Sequence, residues 1–211
     1  MVEWIALMQH HGAATRLLDF SYSFAIAAFF AARNARSDFA IWGLNWNQMR
    51  VAVSNRFGLD DEVRNSSFEF HAKMHEIANQ FLRREASGAL VFPVDPIRQN
   101  EHRAAQQGLF LFPCDSARTF IENLDCLYPH SGVDKMTEDS QIELYHSEAL
   151  APERVHKLKV VKFVLPNAET FGTLRDLYQL NIHDGSLFPG IDGFARSLNR
   201  YTLQPSGGRT S

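Results

Sequence analysis

The chain has 211 residues, 45% hydrophobic and 12% aromatic, with 17 Phe; this suits a single domain and excludes a chain too polar to build a core. A formal net charge of −3 gives no basic footprint for bulk attraction to nucleic acid or anionic lipid. Two cysteines, Cys114 and Cys126, exclude a disulfide scaffold, leave no Cys/His cluster at zinc spacing, and read as thiols of a reducing compartment.

Met1-Val2-Glu3-Trp4 lacks the basic start of a signal peptide. Residues Val2 to Met8 read as a helix, with Gly12 as its stop. Thr15 to Phe20 is a short run that fits a buried strand, although its leucines suit a helix as well. Phe24 to Ala32 is apolar all round and predicts a helix buried on most faces, capped by Ser21 or Ser23. It is the longest apolar run and is far short of the ~20 residues that a bilayer span requires. The expectation is a cytoplasmic protein without membrane contact.

Phe39 to Leu44 reads as a strand, and Asn47 to Asn65, with no clear period, as mostly loop. Phe68 to Glu85 predicts a helix, with Phe70, Met74, Ile77 and Phe81 at spacings of three and four. Ala89 to Phe92 and Gly108 to Phe112 are strand candidates, with Pro93, Pro96 and Pro113 as breakers. Ser116 to Leu124 predicts a helix, and Tyr128 to Gln141 a surface loop or lid. Lys157 to Leu165 alternates like a half-exposed strand. Asn167 to Leu180 predicts a helix with Asn167 as N-cap, and residues 202–211 a disordered tail. No Gly-rich phosphate loop occurs. The fold class is α+β, a mixed and mainly antiparallel sheet packed with helices.

Polar chemistry concentrates before the apolar helix, in Gln9-His10-His11-Gly12, Thr15-Arg16 and Asp19. Alternation along a strand would put Arg16 and Asp19 on opposite faces, which disfavours a local ion pair. Buried charge needs partners, so a purely structural network holding the helix on the sheet competes with a functional reading. His71 and His75 are spaced like metal ligands on a helix, but no HExxH and no third ligand accompany them, and they read as two exposed histidines. No metal is implied. Ser116 and Ser147 stand in no nucleophile elbow, and Asp184-Gly185 and Asp192-Gly193 read as turns.

Gln9-His10-His11-Gly12-Ala13-Ala14-Thr15-Arg16-Leu17-Leu18-Asp19-Phe20-Ser21, followed by Phe24 to Ala31, closely resembles the FRG family. So, in the same order, do Arg103 to Phe110 and Leu187 to Ala195. The family's aromatic-Arg-Gly motif, expected upstream of this block, is absent, and Phe20-Ser21 stands where Trp-Thr is usual. The resemblance implies an FRG-like domain over 1–201 that lacks its first strand.

The family's order is in turn similar to that of ADP-ribosyltransferases, in which a strand with hydroxyl residues runs into an apolar helix and a later strand carries a Glu. This implies an ADP-ribosyltransferase-like fold and an ADP-ribosyltransferase or NAD glycohydrolase activity with NAD as substrate. It implies Arg16, Asp19 and Gln106 as catalytic residues and Gln9, His10, Thr15, Phe20 and Ser21 as NAD-binding residues. Gln106 stands where a Glu is expected, at the head of a strand running to Phe112, and Glu101 is the alternative. The macromolecular target would be a protein or nucleic acid, for a toxin or defence effector. The competing expectations are a non-catalytic ligand-binding or regulatory module and an inactive truncated remnant.

Overall fold

The computed structural model describes residues 1–95, 101–128, 133–135, 142–145, 159–191, 193 and 195. Its elements are α1 (Val2–His10), β1 (Leu18–Ser21), α2 (Phe24–Ala32), β2 (Phe39–Leu44), α3 (Trp46–Phe57), α4 (Asp61–Asn65) and α5 (Ser67–Leu82). There follow β3 (Val91–Val94), α6 (Glu101–Gln106), β4 (Gly108–Pro113), α7 (Phe120–Leu127), β5 (Val133–Lys135), β6 (Ile142–Tyr145) and β7 (Val160–Leu165). A 3-10 turn, Asn167–Glu169, leads into α8 (Thr170–Gln179), and α9 (Asp184–Leu187) follows.

The fold is α+β, as expected, but the strands divide into two antiparallel sheets instead of one mixed sheet. The first has the order β1-β4-β3 and the second β2-β7-β6-β5. In the first, Asp19 lies opposite Phe110 and Phe92 opposite Phe112. In the second, β2 pairs along its whole length with β7, from Phe39 opposite Leu165 to Leu44 opposite Val160.

Two buried clusters support these sheets. The larger joins α1, α3, α5, α7 and the first sheet, with Phe70, Phe92 and Phe112 at 0% exposure. Phe92 and Phe112 stack at 5.4 Å between centroids, so much of the Phe content is consumed here as core. The smaller joins α2, β2, α8 and α9 through Ile26, Phe29, Ile41, Leu177 and Leu187. Helix α2 buries Ile26, Ala28, Phe29 and Ala32, while Phe24 and Phe30 remain exposed. Its all-round apolarity thus overstates its burial.

The span read as loop, Asn47 to Asn65, is instead helical across α3 and α4. Each start has a cap: Asn45 Oδ1 accepts from Gln48 N at 3.2 Å, and Asp60 Oδ1 from Val63 N at 2.8 Å. Gly58, at φ +63°, closes α3 in the left-handed region. Only Met49, Val53 and Ser54 of α3 are buried, too narrow an apolar stripe to show as a period.

Helix α7 starts at Phe120, four residues later than expected. A capping box fixes it: the Thr119 hydroxyl accepts from Glu122 N at 3.3 Å and Glu122 accepts from Thr119 N at 2.7 Å. Asn167 is not the cap of α8. Its N–H donates to Asp38 Oδ1 at 2.9 Å, and its Oδ1 accepts from Thr170 Oγ1 at 3.3 Å. Strand β5 lies inside the span expected to be a loop; 129–132 and 136–141 lie outside the described residues, as do 202–211.

Candidate functional site

Helix α1 runs into a tight reversal. His11 N–H donates to Leu7 O at 3.2 Å, Gly12 N–H to Gln9 O at 2.9 Å, and Ala13 N–H to Met8 O at 3.0 Å. Gly12 adopts φ +85°, where a side chain would be strained. The reversal sends Thr15 back beside Gln9, whose Oε1 accepts from the Thr15 hydroxyl. With that end of the amide occupied, its other end points at β1, and Gln9 Nε2 donates to Asp19 Oδ2 at 3.0 Å. The Thr15 hydroxyl also accepts from Leu17 N at 3.1 Å. Thr15, Gln9 and Asp19 therefore form one hydrogen-bonded chain that fixes an exposed carboxylate.

Arg16 goes elsewhere. Its Nη1 donates to Cys114 O at 3.1 Å, and its guanidinium stands 5.3 Å from the centre of the Phe112 ring. It ties the β1 entry to the end of β4. Burial pushes the Cys114 thiol far above its usual range, with Arg16 opposing the shift. Cys114 is therefore no thiolate nucleophile. Burial likewise raises the Tyr128 hydroxyl.

Gln106 closes α6 instead of opening the following strand. Gln107, at φ +47°, turns the chain into β4. The Gln106 side chain donates through Nε2 to Leu187 O at 3.0 Å, and the Gln106 backbone carbonyl accepts from Ser21 Oγ at 2.8 Å. The Ser21 hydroxyl also accepts from Ser23 N at 3.1 Å. Glu101, the alternative carboxylate, is the first residue of α6.

These elements surround a cleft of about 1430 Å³. Of the eight residues singled out in the sequence, Gln9, His10, Asp19, Phe20, Ser21 and Gln106 line it, whereas Thr15 and Arg16 do not. Its walls also include Glu3, Phe30, Trp42, Phe120 and Phe188, which sequence reasoning did not single out. Phe120 bridges two walls, 6.1 Å from Phe20 and 6.2 Å from Trp42 between centroids. Phe30 meets Phe188 edge-on at 6.0 Å. Among the described residues that line the cleft are two carboxylates and two histidines, but no Lys or Arg. Lys162 Nζ stands 5.8 Å from the Trp42 ring centre.

Phe188 is held from behind. Arg33 stands 4.9 Å from its ring centre and pairs with Asp184 at 2.8 Å, the two side chains being 17% and 2% exposed. Asp184, read as a turn residue, is thus a buried ion-pair partner. A Cβ on Gly193 would overlap the Phe188 carbonyl, so glycine is needed there for close approach. Asp192 lies outside the described residues.

The two helical histidines are not the exposed pair that their spacing suggests. His71 Nδ1 lies 3.1 Å from Asp95 Oδ2 and His75 Nε2 lies 3.2 Å from Glu3 Oε1, all four side chains being half-buried. Among the described residues no group of three or more His, Cys, Asp or Glu is placed to hold a metal ion.

No curated protein and no solved structure matches the chain. The profile of the FRG domain matches residues 1–39, the segment that contains α1, β1 and α2 and with them the Gln9–Thr15–Asp19 chain. Over that segment the chain is similar to the FRG domain, which supports the FRG family for this protein.

Proposed function

We propose that the cleft binds NAD and that the domain releases nicotinamide from it, as an ADP-ribosyltransferase or NAD glycohydrolase. The observation that carries this reading is the pairing of a fixed carboxylate, Asp19, with the aromatic wall of Phe20, Phe120 and Trp42. The nicotinamide ring of NAD is a cation, and aromatic faces beside a carboxylate suit a cationic ring.

In the reaction, the bond between ribose C1′ and the pyridinium nitrogen breaks and its electron pair stays on nitrogen, so nicotinamide leaves neutral. Positive charge develops on the ribose. Asp19 holds a ribose hydroxyl and stabilises that charge, and Gln9 and Thr15 keep its carboxylate oriented for the task. An oxygen or nitrogen nucleophile from water or from a macromolecular target, protein or nucleic acid, then adds to C1′ and loses its proton. Gln106 and Ser21 shape the ribose end, since their side chains already bond backbone groups. Arg16 acts through the sheet, as a positioning residue. No described helix is long and apolar enough to cross a membrane, and the free thiols Cys114 and Cys126 support a cytoplasmic setting.

A second reading is a module that binds the same ligand without turnover. It is favoured by Gln106, an amide that cannot serve as a base, and by the absence of Lys or Arg among the described lining residues. Chromatographic measurement of nicotinamide released from NAD separates the two. Release above the spontaneous rate that falls at least ~100-fold in Asp19→Asn supports the enzyme. NAD binding without release supports the module, and neither binding nor release overturns both.

A further inference from the structure

Three segments that line the cleft meet at Gln106. Its backbone carbonyl accepts from Ser21 Oγ at the end of β1, and its side chain donates from Nε2 to Leu187 O at the end of α9, 3.0 Å away. Ser21, Gln106 and Phe188 all border the space, and Phe188 directly follows the carbonyl that Gln106 holds. A backbone carbonyl only accepts, so the Leu187 contact requires the amide nitrogen and fixes which end of the amide faces it. A carboxylate in the same place would set one acceptor against another.

Phe188 also belongs to a closed set of contacts. Its N–H donates to Asp184 O at 3.0 Å, Asp184 pairs with Arg33 at 2.8 Å, and Arg33 stands 4.9 Å from the Phe188 ring centre. These contacts hold the turn within itself and against the end of α2, where Arg33 is the C-cap. Gln106 adds the link to α6 and, through Ser21, to the strand that carries Asp19.

We infer that Gln106 is a positioning residue: by holding the Leu187 carbonyl, it sets the place of Phe188 in the cleft wall relative to β1. Glutamine is used here because the contact needs a donor, and a Glu would break it. The consequence for the ligand rests on the NAD reading. Phe188 lines the space proposed for NAD, so a displaced ring weakens binding more than it slows the bond-breaking step. The tether itself needs no dinucleotide.

The test uses the full chain with 4-fluorophenylalanine in place of Phe188, whose fluorine resonance reports the surroundings of the ring. It compares the chain that keeps Gln106 with Gln106→Glu and Gln106→Leu. At neutral pH both variants lack the donor, and both resonances should move. A carboxyl group titrates near ~4.3, and higher when it faces an acceptor that disfavours its charged form. Acidification towards that range restores an O–H donor to the Glu variant. Its resonance should then return to that of the Gln106 chain, while the Leu resonance stays displaced. No movement in either variant, a Glu resonance that acid does not restore, or an acid-restored Leu variant overturns the inference.

NAD titrated into the same chains at neutral pH should bind about tenfold more weakly to both variants, with release of nicotinamide at saturating NAD falling less. Faster release by Gln106→Glu, or unchanged affinity beside a displaced ring, also overturns the inference. Absence of NAD binding to the Gln106 chain would end the dinucleotide reading, and the fluorine result would still decide the tether.

Discussion

Gln9 Nε2 and Asp19 Oδ2 lie 3.0 Å apart across the reversal between α1 and β1, and the Thr15 hydroxyl occupies the opposite end of the Gln9 amide. The hydroxyl fixes which end of the amide faces the carboxylate. Thr15→Val removes that constraint without adding bulk. Nicotinamide release should fall about tenfold, which is roughly 1.4 kcal/mol of transition-state stabilisation. Melting, followed by circular dichroism, should shift by only a few degrees. Unchanged turnover would remove Thr15 from the account.

Arg16 has a different expected outcome. Its guanidinium is used on the Cys114 carbonyl and the Phe112 ring, outside the cleft. Arg16→Ala should cost about 2 kcal/mol of stability, as expected for a charged donor lost from a part-buried carbonyl. That corresponds to roughly 4–8 °C in Tm. NAD affinity measured well below the new Tm should stay within about twofold, a change of roughly 0.4 kcal/mol.

The Arg33–Asp184 pair is buried enough for its loss to be felt. Asp184→Ala leaves a guanidinium at 17% exposure without its carboxylate and should destabilise the fold by about 3 kcal/mol in urea unfolding. Replacing both partners together, Arg33→Met with Asp184→Leu, should recover part of that loss, because both charges of the pair are then removed. A double variant as unstable as the single one would show that the pair has another role.

The two thiols should separate cleanly. Cys126 is exposed and Cys114 buried, with the Cys114 thiol held protonated by burial. A disulfide reagent at pH 8 should therefore modify Cys126 rapidly and Cys114 only after denaturant is added. Rapid reaction of both thiols in the native protein would mean that the β4 end opens.

Much of this architecture is legible in the residues. The apolar run Phe24 to Ala32 and its Ser23 cap coincide with α2, because a hydroxyl before a continuous apolar segment is both a start signal and a core signal. Helices α3 and α4 were hidden, since their caps, Asn45 and Asp60, are followed by mostly solvated faces with little periodicity. At the cleft, the local sequence announces Gln9, Asp19 and Ser21 because they share one turn and one strand. Trp42, Phe120 and Phe188 come from distant segments, and only the packing of β2, α7 and the end of α9 brings them to the same space. Asp184 illustrates the same point: Asp-Gly signals a turn locally, while the partner that makes it a buried charge is more than a hundred residues away.

The central claim is that the cleft holding Asp19 and Trp42 binds NAD. Isothermal titration calorimetry of NAD into the wild-type chain, Asp19→Asn and Trp42→Ala tests it most directly. The account predicts one site in the wild type, weakened about tenfold or more by either substitution, or by at least roughly 1.4 kcal/mol. An undetectable heat in the wild type, or an affinity that both substitutions leave unchanged, would contradict it.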